Sequence, residues 1–437
     1  MTTPPVGPSA IRDIPAVHAA IAPSAVLRQQ RRVLYQLASE LLLGDGGPQA
    51  LDPDLMDSPL ARHSIGNALA GRTTLVRSAL VGVSAVAPVR GGAQDLRVAS
   101  LPGAPTALAP ALETIKSELG GQQAASGSPG LLTETDGERL TAALAILDDG
   151  VALGRSVSPD LMDDLLAHVA LVGVIDPQYA GQLVSASPRA FPGLVLLKTP
   201  RSSIEVAEAL IHEGAHQKLF DLAITYDLLN TNSDRCPPFH PLWGPQGRRW
   251  PLEQTLAACH AYVCLARFNH DLSKVPPTEK LGAESLLPVA SERSKILGEW
   301  LLGKGEYLGS DAHVLLNGLI GQRPGTARVT KSCTDLALAD YFIDTPMEFR
   351  HCGAPGRVLV GLPSQPPQFY WVSDDAATIL KLLACKYLDE VASSSVEQCR
   401  MRQLDQRLQQ LSAGNQLSTL LSDLYVSGLV KHMHSRP

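Results

Sequence analysis

Apolar residues recur at helical spacing along much of the chain, with polar or Gly/Pro-rich breaks between the runs. The clearest leucine stripe predicts a helix over residues 24–43, because residues three, four and seven apart share one face of a helix. A second helix is predicted to begin at Ser158 and Pro159, since serine caps helices and proline suits their first position. Helix is predicted again from about Asp375 to Met433.

Strand patterns are few and short. Apolar runs predict strands at residues 193–199, 357–361 and 369–372, the last two joined by a Pro-rich turn. Two stretches rich in Gly, Pro, Ser and Ala, residues 87–110 and 120–137, are typical of long loops or linkers. The predicted fold class is therefore mainly α with a minor β component, around a helical metal-site core.

The length of 437 residues allows two or three domains. We divide the chain into a helical N-terminal region with Gly/Pro/Ser-rich linkers (1–150), a metal-binding catalytic core (151–345), and a short hairpin with C-terminal helices (346–437). Every Trp lies in the second half, where large rigid side chains are expected to shape a pocket. The seven cysteines are odd in number and lack Cys-x-x-Cys spacing, so we expect buried reduced thiols.

The formal net charge of -6 gives no long-range attraction for phosphate backbones or anionic lipid. We therefore expect neither nucleic acid nor a membrane as a partner. Residues 1–9 are Pro-rich and lack the basic and apolar regions of a secretory signal. The apolar run at residues 166–175 is too short to cross a bilayer. These features predict a soluble cytoplasmic protein.

A His-Glu-x-x-His motif is formed by His212, Glu213 and His216. Upstream, Ser202 followed by Glu205 is a capping-box pattern, and the next apolar residues recur at helical spacing, so the motif is predicted on a helix. The two histidines are four residues apart and share one face, where both imidazoles can bind one metal at about 2.0–2.1 Å. Glu213 points to a neighbouring sector and is the candidate catalytic residue, holding a bound water or a group beside the ligands. A hydrogen-bonded His pair without metal is the alternative.

A catalytic two-histidine site needs a third protein ligand. The candidates lie on a helix predicted to begin near Pro251, where Glu253, His260 and Arg267 recur every seven residues and share roughly one face. The residues themselves leave the choice between Glu253 and His260 open. A hydrogen-bonded core histidine at His260 is the alternative.

The middle of the chain resembles the HExxH-motif peptide-modification proteins, which are encoded beside ribosomally made, post-translationally modified peptides. The resemblance covers residues 191–268: Phe-Pro-Gly at 191–193, the motif helix, a Trp/Arg/Pro loop, and a helix reading His-x-Tyr at His260 and Tyr262. Members of that family include iron(II)- and 2-oxoglutarate-dependent enzymes that hydroxylate β-carbons of peptides. The metal ligands that the resemblance implies are His212, His216 and His260.

The same resemblance places a cosubstrate-binding arginine in the loop, at Arg248 or Arg249, and Arg267 is a further candidate. A guanidinium suits a 2-oxoglutarate carboxylate because it binds both oxygens. Here Trp250 stands between the two loop arginines and the proline, where the family pattern has Arg directly before Pro. The candidate substrate-binding residues are Trp243, Trp250 and Tyr262.

The leading hypothesis is an iron(II)/2-oxoglutarate-dependent hydroxylase of a ribosomally made precursor peptide in natural-product biosynthesis. Its expected partners are that peptide and, as an open option, another protein of the same pathway. The alternative is a zinc metallopeptidase, in which Glu213 is the general base and Glu253 or His260 completes the site. A non-catalytic peptide-binding module is the third hypothesis, and it requires that the His pair binds no metal.

Overall fold

The structure is a computed structural model of the chain. It describes residues 13–44, 52–88, 96–118, 130–177, 183–243, 248–276, 279–321, 341–343, 345–353, 356–385 and, near the C-terminus, 420–421, 423–424, 427 and 429–432. The fold is mainly α with a minor β component, as predicted. Four cysteines of the described part are free and buried: Cys236, Cys259, Cys264 and Cys352.

The described residues contain helices that were predicted and helices that were not. In chain order they are α1 (Ile14–Ile21), α2 (Ser24–Leu43), α3 (Pro53–Asp57), α4 (Pro59–Leu69), α5 (Ala104–Ala107), α6 (Ala109–Glu118), α7 (Glu138–Val157), α8 (Pro159–Leu166), α9 (Ser203–Ala223), α10 (Leu252–Leu272), α11 (Leu287–Leu302), α12 (Ser310–Ile320) and α13 (Asp374–Cys385). The leucine-striped helix is α2, with the predicted bounds, and the helix predicted after Ser158 is α8, with Pro at its first turn. The prediction of a loop or linker over 87–110 is wrong at its end, where α5 and the first residues of α6 lie.

Two compact units make up the chain. The first comprises Met1–Arg32, Gln49–Asn67 and Leu75–Pro324, and the second comprises Val33–Pro48, Ala68–Thr74 and Gly325–Pro437. The three sequence regions 1–150, 151–345 and 346–437 stay a prediction, and the first unit takes residues from the first two of them. No helix in the described ranges is both long and apolar enough to cross a membrane.

A small buried sheet lies in the first unit. It contains β1 (Leu171–Ile175), β2 (Ser185–Ala186) and β3 (Leu194–Lys198), in the order β1-β3-β2. The strand β3 runs parallel to β1 and antiparallel to β2. The predicted strand at 193–199 is thus confirmed as β3, whereas β1 was not predicted. Its five residues are all buried, so it lacks the alternating pattern of a half-exposed strand.

The second unit contains an antiparallel sheet of β5 (Glu348–His351), β6 (Val358–Leu362) and β7 (Gln368–Val372), and a short pair formed by β4 (Tyr341–Phe342) and β8 (Lys431–His432). The hairpin predicted at 357–361 and 369–372 is confirmed as β6 and β7. The C-terminal helix prediction is confirmed for α13 and is wrong at residues 431–432, which pair with β4 as the strand β8. Residues 386–419 of that prediction lie outside the described residues.

The helix α9 carries the His-Glu-x-x-His motif and packs among α7, α8 and α10. It begins where predicted, because the Ser202 hydroxyl accepts the hydrogen bond of the Glu205 backbone N–H at 3.3 Å. The Glu205 carboxylate accepts from Arg201 N at 3.0 Å, one residue before the cap. At the crossing with α7, a Cβ on Gly150 would lie only 2.4 Å from the Val206 Cβ, so glycine allows this close approach.

Candidate metal centre

His212 and His216 converge on one side of α9. Their Nε2 atoms lie 3.2 Å apart, and the ring planes are inclined by 81°. Two imidazole nitrogens that share a metal at about 2.0–2.1 Å, with a ligand angle near 100°, are separated by about 3 Å. The spacing of the two Nε2 atoms therefore matches that of two ligands of one metal ion, and it also matches a hydrogen-bonded His pair.

The protonation of His216 also suits a metal. The pKa of His216 is lowered to about 4 by loss of solvation and, secondarily, by the neighbouring His212. His216 is thus neutral at physiological pH, which is the form that binds metals. The Nδ1 atom of His212 is buried and has no hydrogen-bond partner. A buried polar atom without a partner is costly, so this nitrogen calls for an explanation.

Glu213 turns away from the two histidines and toward the strand β2. Its Oε1 accepts a hydrogen bond from Ser185 Oγ at 2.6 Å, and its Oε2 accepts one from Ser187 Oγ at 2.5 Å. The residue is 4% exposed. Both carboxylate oxygens are therefore engaged by hydroxyls that tie α9 to the segment around β2.

An aromatic and cationic wall lies beside the pair. The Tyr262 ring is 6.2 Å from the His212 ring, and the Trp243 ring is 6.5 Å from that of Tyr262. Arg293 of α11 donates from Nη1 to the Tyr262 hydroxyl at 2.7 Å, and its guanidinium lies 5.0 Å from the Trp243 ring centre. We call His212, His216 and this wall the paired-histidine face. Behind Trp243, aromatic rings continue the packing, namely Phe239, Trp250 and Trp300.

The arginines and the glutamate predicted from the sequence take other positions. Arg248 lies over the Trp250 ring at 5.9 Å, and Arg249 is exposed. Arg267 donates from Nε to Asp271 at 2.7 Å, and Glu253 pairs with Arg189 at 2.6 Å. None of these contacts involves His212 or His216. The cation in this neighbourhood, Arg293, was missed because nothing in its local sequence marks it.

His260 is brought to another side of α9. It is fully buried, its Nδ1 donates to the Ala215 carbonyl at 2.9 Å, and its Nε2 lies 2.7 Å from the Nε2 of His18. In the described part of the chain, the one set of three possible ligand atoms within 4.8 Å of one another is formed by His18, His260 and Cys264. We call this set the buried cluster. The structure thus joins His212 to His216 and does not add His260 to them, so its assignment as third ligand stays a prediction.

A buried polar network continues from His18. The Nδ1 of His18 donates to the Asp164 carboxylate at 2.7 Å, and the Lys218 ammonium of α9 donates to the same group at 2.6 Å. Burial alone would raise the pKa of Asp164, but the hydrogen bond from His18 and the charge of Lys218 hold it well below its usual range. Burial lowers the pKa of Lys218, His18 and His260. Sequence patterns give no indication of these partners.

Asp221 of α9 joins a second part of the network. It accepts from His168 Nδ1 at 2.5 Å and pairs with the buried Arg31. A cavity of about 750 Å³ lies beside it, lined by polar residues that include Arg28, Arg97 and His168 but neither His212 nor His216. Cavity size alone identifies no chemistry, whereas converging ligand nitrogens do. The paired-histidine face therefore remains the candidate metal centre.

Comparison of the sequence with protein-family models and with curated proteins finds no match. The resemblance to HExxH peptide-modification proteins accordingly depends on the motif residues alone. A function for this chain must be argued from the geometry of the paired-histidine face.

Proposed function

We propose that the protein is an iron(II)- and 2-oxoglutarate-dependent hydroxylase of a ribosomally made peptide, with His212 and His216 as metal ligands. The observation that supports this proposal is the 3.2 Å convergence of their Nε2 atoms beside the Arg293–Tyr262 pair. Iron(II), when bound, supplies the oxidising chemistry that a 2-oxo acid and dioxygen drive. The protein's own residues hold the metal, the cosubstrate and the peptide.

The environment of Glu213 favours a hydroxylase over a zinc peptidase. A peptidase needs this carboxylate free to take a proton from the attacking water. Here both oxygens already accept hydrogen bonds from Ser185 and Ser187. We therefore assign Glu213 a positioning role, fixing the motif helix against the segment around β2.

Arg293 is the side chain that we propose for the cosubstrate carboxylate, in place of Arg248, Arg249 or Arg267. Its guanidinium is partly buried between the Trp243 and Tyr262 rings, at 5.0 and 5.4 Å from their centres. Such surroundings exclude water and strengthen a guanidinium–carboxylate pair. Tyr262 and Trp243 keep their predicted role in lining the substrate side.

The third protein ligand is left to experiment. The resemblance points to His260, but both of its ring nitrogens have other partners in this structure. The test compares the iron content of three variants, His260→Ala, His212→Ala and His216→Ala. A histidine whose loss lowers the iron content is a ligand.

The proposal is tested by 2-oxoglutarate turnover. Anaerobically purified protein is loaded with iron(II), and succinate is measured under air and under argon, with and without candidate precursor peptides. We expect the wild type to form succinate only in the presence of oxygen. In Arg293→Gln, succinate formation should fall at least 10-fold, because the cosubstrate binds more weakly (about 1.4 kcal/mol). In Arg139→Gln, succinate formation should not change. Arg139 is an exposed arginine of α7 that pairs with Asp176, so it is the matched control.

The same assay separates the peptidase hypothesis. Peptide cleavage that persists under argon and disappears in Glu213→Gln would overturn the hydroxylase proposal. An active preparation that contains zinc in place of iron would also support the peptidase hypothesis.

A further inference from the structure

Of the buried cluster, only His260 is a candidate in the function proposed above, through the resemblance, and neither His18 nor Cys264 has a part in it. His18, His260 and Cys264 are each no more than 1% exposed, and their potential ligand atoms lie within 4.8 Å of one another. We propose that they form a second metal site, which holds a thiophilic cation of the Zn²⁺ or Cu⁺ type.

The hydrogen bonds of the two rings fix their tautomers. His18 Nδ1 faces the ionised Asp164 carboxylate, which can only accept, so Nδ1 carries the proton. His260 Nδ1 faces the Ala215 carbonyl, which also only accepts. Each neutral ring therefore presents an unprotonated Nε2 to the other.

Those two Nε2 atoms lie 2.7 Å apart. Two lone pairs at this distance repel, so the contact requires a positive charge between them. A shared proton would bury an imidazolium close to the Lys218 ammonium, which is itself fully buried. Burying a second cation beside the first is unfavourable.

A metal ion differs from a proton because it also engages Cys264. As the metal–sulfur bond forms, the thiol gives up its proton to solvent, and the thiolate offsets the charge of the metal. With Cu⁺ the added charges cancel, and with Zn²⁺ one positive charge remains for a further anionic ligand. Thiolate with imidazole selects these cations over Mg²⁺ or Ca²⁺.

The partners of the Nδ1 atoms are those expected around a metal. A metal-bound histidine usually donates its other ring N–H to a carboxylate or a backbone carbonyl, which fixes the ring orientation. His18 and His260 do so with Asp164 and Ala215 respectively. For a shared metal the two Nε2 atoms separate by about 0.3 Å, to about 3 Å, and the Cys264 Sγ, now within 4.8 Å of them, comes to about 3.5 Å.

The test uses cobalt(II) as a spectroscopic substitute for zinc. The variant used is the full chain with His212→Ala and His216→Ala, which lacks the ligands of the paired-histidine face. It is expressed in cobalt-supplemented medium, because a sealed site must be loaded as the protein folds. We expect about one equivalent of cobalt and a sulfur-to-cobalt charge-transfer band. Adding Cys264→Ala removes the band, whereas adding Cys259→Ala leaves it. Cys259 is the matched control, since it lies on the same helix, fully buried, with its thiol directed to the Ser294 carbonyl.

The outcomes are decisive in either direction. Parallel zinc- and copper-supplemented preparations, analysed for bound metal, identify which cation is retained. Absence of every metal from the folded double variant, or a cobalt band that survives Cys264→Ala, overturns the proposal. Should Cys264→Ala fail to fold, absence of the band in the double variant still overturns the proposal. This result is independent of 2-oxoglutarate turnover, so it stands or fails separately from the proposed function.

Discussion

The histidines on two sides of α9 have opposite surroundings. On the paired-histidine face, His212 and His216 are partly exposed, and one buried ring nitrogen has no partner. In the buried cluster, His18 and His260 are sealed from solvent, both Nδ1 atoms are hydrogen-bonded, and the two Nε2 atoms face each other at 2.7 Å. An open pair suits ligands that must exchange, whereas a sealed cluster suits a permanent structural role. Histidine chemistry is thus set by surroundings more than by spacing.

The largest expected effect separates the two sides by activity. His212→Ala combined with His216→Ala should reduce 2-oxoglutarate turnover to background and remove the exchangeable metal, because two ligands on one helix face are lost. The unfolding transition should remain cooperative, since the buried cluster is intact. Succinate assays measure the turnover, and metal analysis after dialysis against a chelator measures the exchangeable metal. Full turnover in the double variant would refute the site.

The next largest effect is a loss of stability beside the buried cluster. Lys218→Met leaves Asp164 as a buried charge without its ammonium partner, so the free energy of unfolding should fall by about 3–5 kcal/mol. Lys295→Met is the matched control, because Lys295 is 75% exposed and lies 4.0 Å from Glu299. There the change should be at most about 1 kcal/mol. Urea denaturation compares them, and equal losses would contradict the described network.

A third effect is the pH dependence of the sealed side. Burial lowers the pKa of His168 to about 4, although the bond to Asp221 opposes the shift, and Lys218 and Arg31 reinforce it. The folded state therefore favours neutral His168, and this contribution is fully present above pH 6.5 and is lost as pH falls toward 4. A shift of this size corresponds to about 3 kcal/mol. Unfolding measured between pH 7 and 4 should show a flatter slope in His168→Gln than in His240→Gln, an exposed control. Identical slopes would exclude His168 as the source.

The smallest effect concerns Glu213. If this carboxylate only positions the motif helix, Glu213→Gln should retain iron and lower succinate formation by about 10- to 100-fold. Glu292→Gln, at an exposed position of α11, should leave turnover unchanged. Complete loss of turnover with metal still bound would assign Glu213 to the chemical step instead.

Local patterns predicted the elements that carry the paired-histidine face. The start of α9 follows from the Ser202 cap, and the shared direction of His212 and His216 follows from helical geometry alone. The bounds of α2 and the strand β3 were likewise readable from apolar spacing. Each of these features depends on residues close together in the sequence.

Partners that are brought together by tertiary packing were not predictable. The Glu213 carboxylate meets serines 26 and 28 residues away, and Arg293 meets Tyr262 31 residues away. His18 and His260 are 242 residues apart, in segments that share no motif. Since apolar periodicity specifies which face of a helix is buried but not what it meets, such contacts require the three-dimensional structure.

The long separation between His18 and His260 also bears on how the protein is made. At a synthesis rate of about 5–20 residues per second, roughly 10–50 s pass between the appearance of the two residues on the ribosome. Asp164 appears 146 residues after His18, so α1 lacks this partner for the first part of the interval and lacks His260 for all of it. The helix α1 is therefore among the last parts of its unit that can settle, and the synthesis of α12, against which it also packs, sets the earliest time at which it does.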